Sequence, residues 1–258
     1  MKEVHLIVQG KGGVGKSLSA SIVAQYLKSN AGKETVHCFD TDPVNQTFSR
    51  FSALKPDVVN ILTADNTIDT RKFDDLMEKM LNEDGLSVVD NGAATFVPLM
   101  SYMAENHVDE LFKENNVRLI LHVPVMGGQA LEDCAFGLAQ TAAAIDAEIV
   151  VWLNEFNGSI ALPDGKGFTD FPVYQKYKEK IIGIVDIARR NPDTYGKDIQ
   201  AMTSANLTFE EVEKSLEFGI MPRQRLRNVK RDLYAQMEVL PIWVNQTTRK
   251  AKEGDADA

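Results

Sequence analysis

Along most of the chain, short continuous apolar runs alternate with longer stretches in which apolar positions recur every three to four residues. Runs of the first kind lie at residues 4–8, 35–39, 86–89, 117–123, 148–153 and 180–185, and each reads as a strand buried on both faces. A weaker piece at 58–62 reads as a short extended segment. Helical spacing opens after residue 17 and ends near Gly32, a glycine placed to take a left-handed cap. It recurs at Phe73, Leu76, Met77, Met80 and Leu81, over 96–113, over 130–145 and over 222–238. Thr208 followed by Glu211 is a capping pair for one more short helix. Strand and helix in alternation predict an α/β fold: a mostly parallel sheet covered by helices on both faces. Residues 1–244 read as one domain. The stretch 155–171, with Gly158, Gly165 and Gly167, reads as a surface loop, and the polar tail 245–258 as disordered.

Composition narrows this little. The 258 residues carry a net charge of −9 and a sequence pI near 5.0, which argues against a surface built throughout to hold nucleic acid. The absence of a charged-then-apolar leader at Met1 and of an uninterrupted apolar run of bilayer length leads us to expect a cytoplasmic protein. Cys38 and Cys134 lack metal or redox spacing and read as reduced, buried thiols; His5, His37, His107 and His122 read as packing or surface residues.

The chemistry starts directly after the first strand. Gly10 to Ser17 fits G-x-x-x-x-G-K-[ST] at every fixed position and stands between a strand and a helix, as a phosphate-binding loop must. Its glycines let successive N–H groups turn inward at a helix N-terminus, where the helix dipole favours an anion. Lys16 is the residue to reach the β- and γ-phosphates of a nucleotide, and Ser17 a ligand for Mg²⁺. Two strands then end in acids: the second in Asp40-Thr41-Asp42-Pro43, with Asp40 and Asp42 on one side of an extended chain, and the third in Asp90. Asp90 completes a hard-oxygen set with Ser17 and Asp40 that suits Mg²⁺ held through water.

Lys11 gives the loop the form K-G-G-V-G-K-S, which resembles the deviant Walker A motif of the ParA/MinD ATPases. The resemblance implies a P-loop NTPase sandwich, ATP or ADP with Mg²⁺ as cofactors, and contacts to nucleotide from Gly10, Lys11, Gly12, Gly13, Val14, Gly15, Lys16, Ser17 and Leu18. It implies that Lys11 reaches across a nucleotide-dependent homodimer to the partner's phosphates. Asp40-Thr41-Asp42-Pro43 resembles the family's D-x-D-P motif, so Asp40 is expected in the water shell of the metal and Asp42 beside the attacking water. Lys11, Lys16 and Asp42 are thus the candidate catalytic residues, and Ser17, Asp40 and Asp90 the candidate metal set. Asn154, at the end of the strand over 148–153, matches an asparagine that in the family bonds the adenine. Asn91-Gly92-Ala93 departs from the D-x-P-P that follows the acid in many members.

Further pieces, among them Gly127-Gly128-Gln129-Ala130-Leu131, Val150-Val151-Trp152-Leu153-Asn154 and Asp193-Thr194-Tyr195-Gly196, resemble a subgroup of this family found in conjugative plasmid transfer systems. That resemblance implies a protein partner in a conjugation or partition apparatus. The helix over 222–238 has Leu226, Val229, Leu233 and Met237 on one face and cations on another. Those cations, within 223–231, make either a solvated face or a contact for DNA or anionic membrane. Two other functions share the fold: a synthetase that spends ATP on a small molecule, and a module that holds nucleotide without turnover. No motif for a second substrate accompanies the loop, and the intact Asp40, Asp42 and Asp90 set argues against the module.

Overall fold

The structure is a computed structural model and describes residues 2–245. Among these, β1 (Lys2–Ile7), β2 (Val36–Asp40), β3 (Asp57–Val58), β4 (Leu86–Asp90), β5 (Val117–Met126), β6 (Glu148–Asn154) and β7 (Ile181–Ile187) form one sheet. Its order is β3-β2-β4-β1-β5-β6-β7 and every neighbouring pair is parallel. The helices are α1 (Lys16–Asn30), α2 (Phe73–Asn82), α3 (Phe96–Glu105), α4 (Val108–Glu114), α5 (Leu131–Ala144), α6 (Pro172–Tyr177), α7 (Lys197–Ser204), α8 (Phe209–Lys214) and α9 (Ile220–Glu238). One core lies between the sheet and α1, α7, α8 and α9, the other between the sheet and α2 to α6. Burial on both faces is why the strands read as continuous apolar runs. The chain leaves β1 toward β2 on one side and later crosses from β4 to β5 on the other. The crevice at the carboxyl end of β1 is therefore the point where strand order reverses, the usual place for a ligand in an open α/β sheet.

Local signals decide several boundaries. Gly32 has φ 61° just beyond α1, a left-handed cap that costs glycine nothing. At α8, the Thr208 hydroxyl accepts from Glu211 N while the Glu211 carboxylate accepts from Thr208 N at 2.8 Å, a complete capping box. In α9, Leu226, Val229, Leu233 and Met237 are the buried residues, as their spacing predicts.

Four expectations change. The helix expected over 96–113 is two, α3 and α4, broken where His107 takes φ 49°; the apolar period continues across the break and conceals it. The extended piece expected at 58–62 joins the sheet only through Asp57–Val58, and Leu62 makes a separate antiparallel bridge to Ile68. The stretch 155–171 is more than a surface loop, because Ile160, Phe168 and Phe171 are buried in the core beside α5 and α6. Asn245, expected to begin a disordered tail, is buried: its Oδ1 accepts from the Tyr26 hydroxyl at 2.5 Å and its Nδ2 donates to Met237 O at 2.7 Å. The rest of that tail, 246–258, lies outside the described residues. No helix among the described residues is long and apolar enough to cross a membrane.

A chain of polar side chains threads the centre of the sheet. Trp152 Nε1 donates to His122 Nδ1 at 2.9 Å, the His122 and His5 rings meet Nε2 to Nδ1 at 2.9 Å, and His5 Nε2 lies 3.0 Å from Glu3 Oε1. Indole is a donor only, so His122 carries its proton on Nε2 and gives it to His5 Nδ1, and His5 gives its own to Glu3. Arg118 Nη1 sits 2.8 Å from Glu3 Oε2 and closes the chain. Burial, with His5 adding to it, holds His122 well below the ordinary imidazole range and hence neutral. Burial pushes Glu3 upward, but the His5 hydrogen bond, backed by Trp243 N and Arg118, brings it below the usual carboxylate value.

Candidate functional site

The loop between β1 and α1 is shaped by its glycines. Gly13 (φ 73°) and Gly15 (φ 100°) lie in the left-handed region, and a Cβ on Gly15 would also stand 2.9 Å from Asn154 Nδ2. Lys16, the first residue of α1, curls back so that Nζ donates to Lys11 O at 3.0 Å. It is buried, and desolvation lowers its pKa while Asp90 and Asp42 pull it upward. The loop is braced by a residue that no motif marks. Gln9 is fully buried; its Oε1 accepts from Gly10 N at 2.9 Å, and its Nε2 donates to Pro124 O at 2.9 Å and Cys134 O at 3.1 Å. Gly137 of α5 makes room for it, since a Cβ there would fall 2.0 Å from Gln9 Oε1. Lys11 extends outward to Asp133 in the first turn of α5, with Nζ 2.7 Å from Oδ2 and both side chains well exposed.

The three acids arrive at one edge. Parallel pairing sets Asp40 level with Asp90, and Asp90 level with Ile7 at the mouth of the loop. Asp40 is wholly buried, its oxygens accepting from Asp42 N at 3.0 Å and Ser49 N at 2.7 Å; desolvation raises its pKa against those bonds. Asp42 Oδ1 accepts from Val44 N at 2.9 Å and Asn45 N at 3.1 Å, which caps the turn after it. Both carboxylates therefore shape their own loop at the end of β2. Asp90 differs. It is 1% exposed, the Ser17 side chain lies beside it, and its Oδ1 has no partner. Burial drives its pKa up to about 7, opposed by Ser17 and Lys16 and reinforced by Asp40 and Asp42.

A buried carboxylate oxygen left unpaired beside a serine hydroxyl and two further carboxylates fits a hard divalent cation. Among the described residues no three His, Cys, Asp or Glu side chains converge to hold a metal unaided. A cation here would keep water ligands, which suits Mg²⁺.

The segment after Asp90 packs against both sides of the crevice. A Cβ on Gly92 would lie 2.8 Å from Asp42 Cγ, one on Gly10 would lie 2.9 Å from the Phe96 ring, and one on Gly12 would be 4.0 Å from Ala93. The glycine that departs from D-x-P-P therefore meets Asp42 at backbone distance.

Beyond the loop opens a cavity of about 470 Å³, lined by Gly15, Ser17, Leu18, Asn154, Phe156, Ile187 and residues of 188–203. The size suits a nucleoside. Asn154 forms part of its wall, but its amide is engaged: Nδ2 donates to Val14 O at 3.1 Å and Oδ1 accepts from Phe156 N at 3.1 Å. One amide proton remains for a base. The residues after β7, 188–190, line the same cavity.

The expected sites therefore meet around one crevice, with the basic face of α9 as the exception. Arg225 is paired with Asp198 and Arg227 with Glu213 at 2.6 Å, Arg223 donates to Ser215 O, and Lys230 lies over Tyr234. The fold itself thus engages much of the charge that the sequence offers to an anionic partner.

A parallel sheet with a glycine-rich loop at its reversal point and acids at the ends of β2 and β4 has the P-loop fold in its ParA/MinD form. The fold agrees with that of the MinC:MinD cell division complex of Aquifex aeolicus, at a TM-score of 0.51 and 15% identity over 93% of this chain and 98% of that one. No family model matches the chain. Two proteins of Escherichia coli, each called Protein TraL, match at 42% identity over 92% of this chain and 98% of theirs, and at 41% over 94% and 100%. The chain belongs to the TraL family.

Proposed function

We propose that the protein is a switch ATPase that binds MgATP at this crevice, dimerises around it and lets go on hydrolysis, so positioning or loading part of a conjugative DNA-transfer or partition apparatus. The observation that carries this reading is the unpaired Oδ1 of Asp90, buried beside Ser17 and within the field of Lys16. In this reading Gly10 to Leu18 and Lys16 hold the phosphates, Asn154 faces the base, Ser17 would be a direct ligand of the cation, and Asp40 and Asp90 would hold it through water. Bound Mg²⁺ would neutralise charge on the phosphoryl group in transfer. Asp42 orients the attacking water, and its turn keeps that carboxylate fixed while nucleotide enters. Lys11 leaves Asp133 and crosses to the partner's nucleotide in the dimer. An exposed ion pair of this kind is worth about 0–1 kcal/mol, so its release costs little.

Steady-state and single-turnover ATPase assays on wild type, Lys16→Ala and Asp42→Ala test the reading; hydrolysis by wild type no faster than by the variants sinks it. Sedimentation should show dimers with ATP that Lys11→Ala abolishes, and association indifferent to nucleotide removes the role across the dimer. Asp42→Ala, held in its ATP state, is the bait with which to capture the apparatus component.

A further inference from the structure

The turn after Asp90 holds a buried knot that joins the two acid-bearing strands. Asn91 is wholly buried, and Thr41 and Thr95 are buried with it. Asn91 Oδ1 lies within hydrogen-bond reach of two hydroxyls, Thr41 Oγ1 at 3.1 Å and Thr95 Oγ1 at 2.6 Å. Each hydroxyl has a second acceptor close by, Asp90 O at 3.1 Å for Thr41 and Gly92 O at 2.8 Å for Thr95. Asn91 Nδ2 also donates to Gly92 O, at 3.2 Å. Thr41 stands between Asp40 and Asp42 in sequence, and Gly92 stands against Asp42 with no room for a Cβ. The Asn91 carboxamide therefore touches both the chain leading into Asp42 and the turn forming its rear wall.

Burying an amide and two hydroxyls costs free energy unless all are paired, and an apolar trio would fill the space without that demand. The polar version gives geometry. A group held by several directional bonds has one low-energy placement, whereas apolar contact tolerates sliding. We propose that Asn91 is a positioning residue: through Thr41 and Gly92 it sets the place of Asp42 in the crevice and makes the 92–95 turn and the Asp42 turn move as one body. This rests on the reading of the crevice as a site of ATP hydrolysis. A γ-phosphate that displaces either turn must displace both, and α3, which begins at Phe96 against Gly10, moves with them.

The test uses the full-length protein with Asn91→Ala, the near-isosteric Thr41→Val, which deletes one hydroxyl, and Thr41→Ser, which restores it. Melting curves establish that each is folded. ADP affinity should stay within about threefold of wild type while kcat falls by about 10- to 100-fold in Asn91→Ala and Thr41→Val, the range for residues that orient a reacting group. Thr41→Ser should regain most of the rate. In nucleotide-free protein, amide exchange at 42–45 and 92–96 should speed up together in Asn91→Ala and Thr41→Val and leave α9 unchanged. Turnover within about twofold of wild type, a parallel loss of ADP binding, or exchange confined to one of the two turns overturns the proposal. If wild type itself binds no nucleotide, the ATPase reading fails and the exchange data alone judge the link through Asn91.

Discussion

Glu3, His5, His122 and Trp152 are buried as deeply as Asp40 and Asp90 in the same sheet, and both groups interrupt apolar strands with ionisable side chains. In the first, each ring nitrogen meets a partner and the terminal carboxylate is held by Arg118. In the second, one carboxylate oxygen has none, and burial, reinforced by the charges of Asp40 and Asp42, lifts Asp90 to about 7. A satisfied network adds order, and an unsatisfied one stores a demand that only a ligand meets. Substitutions in the first group should therefore damage stability, and in the second, activity.

Lys16→Ala should show the largest effect, a fall in ATP turnover of about 100- to 1,000-fold, as for loss of one fixed donor to a charge that develops in reaction. The apo melting temperature should move little; a collapse of the apo fold would erase the contrast. Next, His122→Phe leaves Trp152 Nε1 and His5 Nδ1 unpaired, at about 1–3 kcal/mol each, and each kcal/mol lowers Tm by about 2–4 °C for a chain of this size. ATP turnover of the folded variant should stay near wild type. Because the native His122 pKa is depressed, its contribution is fully present above about pH 6.5 and is lost as pH falls below that value toward the native one. Scanning calorimetry from pH 8 to 5 should show the decline in wild type and a shallower one in the variant.

Asp90→Asn acts with the opposite sign. Native Asp90 binds its proton up to about pH 7 against an ordinary 3.8, so the group lowers stability progressively as pH rises through that window. The metal-free variant should melt higher than wild type at pH 8, by about 2–4 °C per kcal/mol recovered, with the gap closing below pH 4. MgADP should raise wild-type Tm and leave the variant unmoved. The smallest effect belongs to the Lys11–Asp133 pair. Asp133→Ala should alter monomer stability by less than about 1 kcal/mol, while shifting the ATP-dependent dimer to lower protein concentration by severalfold at most in sedimentation.

What the residues disclosed in advance follows the reach of each interaction. The loop from Gly10 to Ser17, the acids at the ends of β2 and β4 and the buried stripe of α9 are encoded within a few neighbouring positions, and the structure places them as their patterns require. The bracing role of Gln9 was not legible because its partners are 115 and 125 residues away. The knot at Asn91 was invisible for the same reason, since Thr41 is 50 residues earlier; what remained legible was a departure from an expected motif. The cations of α9 looked free because Asp198 and Glu213 are supplied by other helices. The His107 break did leave a local trace, an Asn-His pair within an otherwise good helical period, and asparagine and histidine are among the residues that favour such turns.

The chain from Trp152 to Glu3 also bears on how the sheet is assembled. The apolar residues of β1, β5 and β6 are mostly valine, leucine and isoleucine, and a strand displaced by two positions would still turn the same kind of surface inward. Such a slip would carry His122 past both of its partners and leave an indole donor and a carboxylate stranded in the core. The polar thread thus acts as a proofreading mark on the central strands, admitting the one alignment in which β1 brings the phosphate loop level with the acids of β2 and β4.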